Sequence, residues 1–265
     1  MRRRFGKLFC LGMLTLALPV GAAQQDMATV PTGWLEAVEA DGRAFPSRLE
    51  ADAKATFFNG DNVAALAWAG LASAAMSTGG ADDDVAGYFA RHNTFDSFTE
   101  KSLFAIGSPP LHFAGTALWY VLEAECQDDP GRQQALTMFS ALTITGAVTG
   151  GLKAIVHNDQ PDGGPWSWPS GHTSSSVAVA SVLHEFYGWK VGRPAYAGAG
   201  LVAWRMMDEG DHWAGDVLFG AVLGWVVGHT VADRHGSVEI AGFELLPYYG
   251  NYQTPAAGIS LARRF

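Results

Sequence analysis

His212 and Asp216 stand four residues apart in the stretch WRMMDEGDHWAGDV, residues 204–217. On a helix that spacing puts both side chains on one face, so the carboxylate can hold one ring nitrogen and leave the other free to attack an electrophile. His172, in WPSGHTSSS (168–176), supplies a second imidazole whose ordinary pKa suits proton transfer near neutrality. The same stretch reads as a helix start. Pro169 and Gly171 allow a tight turn, Ser170 can cap it, and the exposed N–H groups of the first turn favour an anion. Lys153, just ahead of NDQPDG (158–163), and Arg205 add two positive charges. Converging cations, free N–H groups and paired imidazoles suit a tetrahedral oxyanion, and the chemistry they support is phosphoryl transfer.

The elements that must position these groups are helical. Apolar stretches at about 61–78, 103–124, 132–156, 171–188, 194–207 and 213–232 are too long, and too rich in alanine and leucine, for buried strands. They predict an all-α fold, a six-helix bundle, over residues 59–235. Asp61 and Asn62 are candidate caps for the first helix, and Ser108-Pro109-Pro110 interrupts the second or delays its start. Gly220, Gly224 and Gly228 line one face of the last, where a neighbour can pack closely. Residues 24–58, with Pro31 and Pro46 and no sustained period, read as an N-terminal arm with short helical pieces. Residues 236–265 read as a C-terminal appendix with a short hairpin.

Residues 1–23 have the pattern of a secretory signal peptide: four basic residues at the start, an apolar run from Leu8 to Val20, then Gly21, Ala22 and Ala23. Its removal takes the formal charge from −9 to about −13, which excludes nucleic acid as an expected partner because phosphate backbones demand a basic face. Cys10 lies in that signal and Cys126 is then alone, so no internal disulfide is expected. The helices are of borderline hydrophobicity, and Lys and Arg do not gather in alternate loops; Asp82, Asp83 and Asp84 occupy the first long connector, read as a solvated loop. The expected location is therefore the periplasm, soluble or membrane-associated, with an integral membrane protein as the alternative.

Taken in order, these clusters resemble the signature of the type 2 phosphatidic acid phosphatase and vanadium haloperoxidase superfamily, KxxxxxxRP, PSGH and SRxxxxxHxxxD. That superfamily also includes the class A bacterial acid phosphatases. The likeness covers roughly residues 100–235. It implies a phosphoric ester hydrolase at the cell envelope, acting on a phosphomonoester or a lipid (pyro)phosphate without metal or other cofactor. By resemblance, His212 is the nucleophile that forms a phosphohistidine, Asp216 orients it, and His172 protonates the leaving oxygen. Lys153, Ser170, the N–H of Gly171 and Arg205 would hold phosphate oxygens.

Three departures bear on that expectation. Gln160 stands where the family has arginine before Pro161, so a charged donor worth about 1.5–3 kcal/mol becomes a neutral one worth about 1, a loss of about tenfold in affinity. Trp204 replaces the serine before Arg205, and six residues rather than five separate Arg205 from His212. Inside a helix one extra residue would swing a side chain by about 100°, whereas a loop absorbs it. Two other functions remain open: a haloperoxidase holding vanadate in the same cradle, and a degenerate, non-catalytic binder of phosphate or lipid head groups. Metal ligation by His172, Asp211, His212 and Asp216 has no paired His-x-x-x-His or cysteine cluster to support it.

Overall fold

The computed structural model describes residues 34–236 and, for the backbone alone, three strands beyond them. The described residues form nine helices: α1 (Trp34–Phe57), α2 (Gly60–Thr78), α3 (Ala81–Phe89), α4 (Ser97–Ile106), α5 (Pro109–Cys126), α6 (Asp129–Val156), α7 (Gly171–Tyr187), α8 (Trp189–Asp208) and α9 (Ala214–His235). The expected all-α architecture is present. The segment read as signal peptide lies outside the described residues.

Several elements differ from expectation, each for a local reason. From Trp34 the expected arm is one continuous helix, α1, with Pro46 inside it. Its fully buried Asp52 accepts hydrogen bonds from Ser140 Oγ (2.7 Å), Arg234 Nε (3.1 Å) and His235 Nε2 (2.8 Å). These partners on α6 and α9 hold the helix from outside and offset the backbone bond that proline removes. Ser108-Pro109-Pro110 divides one expected helix into two: α4 ends at Ile106, and Pro109 opens α5, where a missing N–H costs nothing. The cap of α2 is Asn59, which accepts from the N–H groups of Asp61 and Asn62. Asp82, Asp83 and Asp84 form the first turn of α3 instead of a solvated loop, favourable at the positive end of a helix.

The core lies where α6, α7 and α9 meet. Leu142, Ile144, Val182, Leu223, Val227 and Val231 are buried there, with Ala69 of α2 against them. The glycine face of α9 meets α7. A Cβ at Gly220 would lie 2.7 Å from the carbonyl oxygen of Ser170, one at Gly228 2.7 Å from that of Ala178, and one at Gly224 would run into that of Ser174. Residues 170, 174 and 178 repeat at the same four-residue interval, so two backbones approach along matched stripes of small residues. That contact seats the start of α7 directly on α9.

By length and composition α6 and α9 can each cross a membrane, both with mean hydropathy 1.4, and α2 with α3, bent by 71° between them, pass the same test together. Large apolar side chains face outward from other helices, among them Trp68 and Leu71 on α2, Phe98 and Ile106 on α4, and Leu118 and Leu122 on α5.

Gly33–His235 form one compact unit, and Gly236–Phe265 belong to another. In the latter, where a hairpin was expected, β1 (Val238–Ile240), β2 (Phe243–Tyr249) and β3 (Ala257–Ala262) form an antiparallel sheet in the order β1-β2-β3. Leu245 pairs with Val238 on one side and Leu261 on the other.

Candidate active site

The C-terminal ends of α6 and α8 and the N-terminal ends of α7 and α9 carry the candidate residues, and the two loops between them are tied together. Asp162 N donates to Gly210 O (3.2 Å), Trp213 Nε1 to Asp159 O (2.7 Å), and Ser170 N to Asp216 O (3.2 Å). The residues of all three sequence clusters thus lie at one end of the bundle.

His212 is 6% exposed and Asp216 3%. His212 Nδ1 lies 3.4 Å from Asp216 Oδ2, an atom that also accepts from Trp213 N (3.0 Å) and from Ser167 Oγ. Fixed by these donors, the carboxylate can orient the ring and leave Nε2 as the reactive nitrogen. His212 N donates to Met206 O (3.0 Å), which closes the loop after α8.

His172 sits in the first turn of α7, next to the N–H of Gly171 and ahead of the first intrahelical bond, Ser174 N to Ser170 O. Its Nε2 is buried without a partner. Burial first, then the charges of His212, Arg205, His112 and Lys153, push its pKa down to about 4. Ser170 is fully buried and its hydroxyl is engaged within the cap, accepting from Thr173 N and bonded to Thr173 Oγ1 at 3.0 Å. Its clearest structural part is to begin α7. Lys153 reaches from the last turn of α6 to the carbonyl oxygens of Trp166 and Ser167 (2.7 Å for the latter), with one N–H left over.

Arg205 lies in the last turn of α8, 5% exposed. Of the six residues between it and His212, three lie in α8, which ends at Asp208, and three in the loop that follows, where Gly210 takes φ +75°. Both ends of its guanidinium are held by carboxylates, Nη1 by Asp211 and Nη2 by Glu100, while Nε is buried without a partner. The Phe104 ring lies 4.7 Å from the guanidinium carbon and 4.6 Å from the centre of the His172 ring. Through that ring Arg205 and His172 share a wall.

Gln160 lies in the loop that follows α6. Its side chain folds over Gly164 of its own loop, and no side-chain hydrogen bond links it to the cluster among the described residues. Conversely, Glu100, Phe104, Ser167 and His112 adjoin the cluster without having been expected there. Glu100 and Phe104 share a four-residue spacing on α4 that, alone, distinguishes them from no other helical pair. His112 Nδ1 lies 3.1 Å from Ser175 Oγ, which in turn bonds the carbonyl of His172. Asp82 caps the N-terminus of α9 by accepting from Gly215 N (2.8 Å).

Over 75 residues, 26% of its length, the chain is 39% identical to a lipid A 1-phosphatase of Porphyromonas gingivalis, and the match spans 16% of that relative. Two solved structures are similar. LpxE of Aquifex aeolicus shares 18% identity at a TM-score of 0.46, over 53% of this chain and 89% of that one. The transmembrane PAP2 type phosphatidylglycerolphosphate phosphatase from Bacillus subtilis shares 17% at 0.49, over 65% and 94%. Residues 134–236 match the model of the PAP2 superfamily, and every expected site position falls between them.

Proposed function

We propose that this protein is a phosphatase that hydrolyses a lipid phosphate, with His212 as nucleophile. The observation that carries this reading is the convergence of an oriented His212–Asp216 pair with two buried, partnerless donor sites, His172 Nε2 and Arg205 Nε, around one helix N-terminus. Buried polar atoms without partners are costly, and phosphate oxygens would satisfy both.

In this mechanism His212 Nε2 attacks phosphorus as the bond to the ester oxygen breaks, and His172 gives that oxygen its proton. Water then attacks the phosphohistidine, His172 takes the proton, and the P–N bond breaks to release inorganic phosphate. The Lys153 ammonium, the Gly171 N–H and the Arg205 guanidinium stabilise the equatorial oxygens. No metal takes part.

A lipid substrate is favoured by a groove of about 230 Å³ between α5, α6 and α7, lined by Leu111, Trp119, Met138, Val179 and Leu183. His112 also lines it and, through Ser175, connects it to the backbone carbonyl of His172. An alkyl chain in the groove would leave its phosphate near the imidazoles. The match to a lipid A 1-phosphatase supports the same class. The outward apolar side chains and the helices long enough to span support residence in a membrane; export through residues 1–23 remains part of this proposal, with the site on the outer side.

His212→Ala and His172→Ala are expected to lose nearly all phosphate release, and labelled substrate should leave acid-labile, base-stable phosphate on the wild type but not on His212→Ala. A series of alkyl phosphates should gain up to about fourfold in kcat/KM per added methylene until the groove is filled, since each buried methylene contributes about 0.8 kcal/mol. Full activity in His212→Ala would overturn the nucleophile; a flat series would overturn the lipid class. The clasp of Arg205 by two carboxylates favours a second reading, a non-catalytic binder, whose sign would be phosphate binding with no turnover of any ester.

A further inference from the structure

Helix α4 lies outside residues 134–236 and outside the three sequence clusters, yet it supplies two contacts to one guanidinium. Glu100 accepts from Arg205 Nη2, and Phe104, one turn later on the same face, lies beneath the guanidinium carbon at 4.7 Å. With Asp211 on Nη1 and Glu100 on Nη2, both ends of the guanidinium are held. Nε is the guanidinium nitrogen that is buried and has no partner at all among the described residues. Its other neighbour through Phe104 is His172, whose Nε2 is also unpartnered.

We propose that Glu100 is a positioning residue that acts through Arg205, holding the guanidinium flat on Phe104 so that Nε–H faces a phosphate oxygen beside His172. This inference rests on the phosphatase reading of the site. A free arginine side chain must give up rotamer freedom when it binds an anion, and one held in place beforehand has already done so. The carboxylates also offset the guanidinium charge. Arg205 then recognises phosphate by one directed hydrogen bond more than by net charge, and its direction is what Glu100 sets.

The test uses the full chain in detergent with a short-chain phosphatidic acid, comparing wild type, Glu100→Ala, Glu100→Gln, Arg205→Ala and the double variant Glu100→Ala/Arg205→Ala. Glu100→Ala is expected to raise KM, and the inhibition constant of inorganic phosphate, about tenfold in parallel, with a smaller change in kcat, as loss of one directed charged hydrogen bond predicts. Glu100→Gln, which keeps an acceptor for Nη2, should return both to within about threefold. In the Arg205→Ala background, removal of Glu100 should have no further effect. Values within twofold of wild type in Glu100→Ala, or a full Glu100 effect persisting without Arg205, would overturn the proposal. If Glu100→Ala does not fold, Glu100→Gln and Asp211→Asn decide: a loss as large as that of Arg205→Ala in the former refutes retention by hydrogen bonding. Should the wild type release no phosphate from any ester, the phosphatase reading fails; titration calorimetry with inorganic phosphate then reads the clamp by itself, and equal affinity in Glu100→Ala would refute it.

Discussion

His172 enters the reaction with a handicap that its surroundings explain. Burial, and then the charges of His212, Arg205, His112 and Lys153, keep its pKa at about 4, so the imidazole is neutral near pH 7, the wrong form for an acid. A bound phosphate reverses the sign of its environment by adding negative charge beside Nε2. Its pKa must then rise in the complex, and by linkage, binding takes up a proton at pH values between about 4 and the raised value. Phosphate affinity is therefore expected to increase as pH falls through the upper of these values and to level off near 4, after allowance for phosphate's own titration. Calorimetry in buffers of different ionisation enthalpy measures the proton uptake directly. In His172→Gln the uptake at this site should vanish; an unchanged proton count would show that another group supplies it.

At the scale of elements, the site depends on how closely α7 approaches α9, because Ser170 N bonds the carbonyl of Asp216 across that contact. Gly224→Ala sets a methyl group against the Ser174 carbonyl, a backbone atom that cannot move alone. The helices must separate, carrying His172 away from His212, and the variant should lose about 1–3 kcal/mol of stability, melt at a lower temperature and lose activity as well. Gly146→Ala is the control: it lies within α6 with nothing within 4 Å of the added carbon, and should keep activity and gain up to about 1 kcal/mol. Equal melting of both variants would refute the close-packing account. The glycine stripe was visible in the sequence because its period is local, and so were Ser170 as a cap and the His212–Asp216 pair. Lys153 and Arg205 were visible only by their order along the chain. What stayed hidden depends on long-range partners: α1 is helical despite Pro46 because Asp52 finds Ser140, Arg234 and His235, and Asp82 is buried because it reaches Gly215. Glu100 and Phe104 matter only because Arg205, far along the chain, folds against them.

For the molecule as a whole, the question raised by borderline hydropathy turns on where apolar side chains point. An amphipathic bundle in water buries its large apolar residues, yet Trp68 is 72% exposed, Leu71 61%, Leu118 60% and Phe98 80%. Burying each such side chain contributes roughly 1.5–3 kcal/mol, so leaving these in water forgoes a sum of about the size of a typical domain's whole stability. Buried Arg132 and Asp52, by contrast, are paired, as charges inside the protein must be in either medium. A bilayer supplies the missing apolar surroundings, and the site at one end of α6, α7, α8 and α9 would then lie near the head groups, where a lipid phosphate is found. The full chain is therefore expected to stay with the membrane pellet through alkaline carbonate and high-salt washes and to require detergent for release. A stepwise change of Trp68, Leu71, Leu118 and Leu122 to glutamine should weaken that retention while sparing the helical circular-dichroism signal. Recovery of the unmodified chain in the first soluble fraction, monodisperse without detergent, would mean that water and not lipid covers this surface.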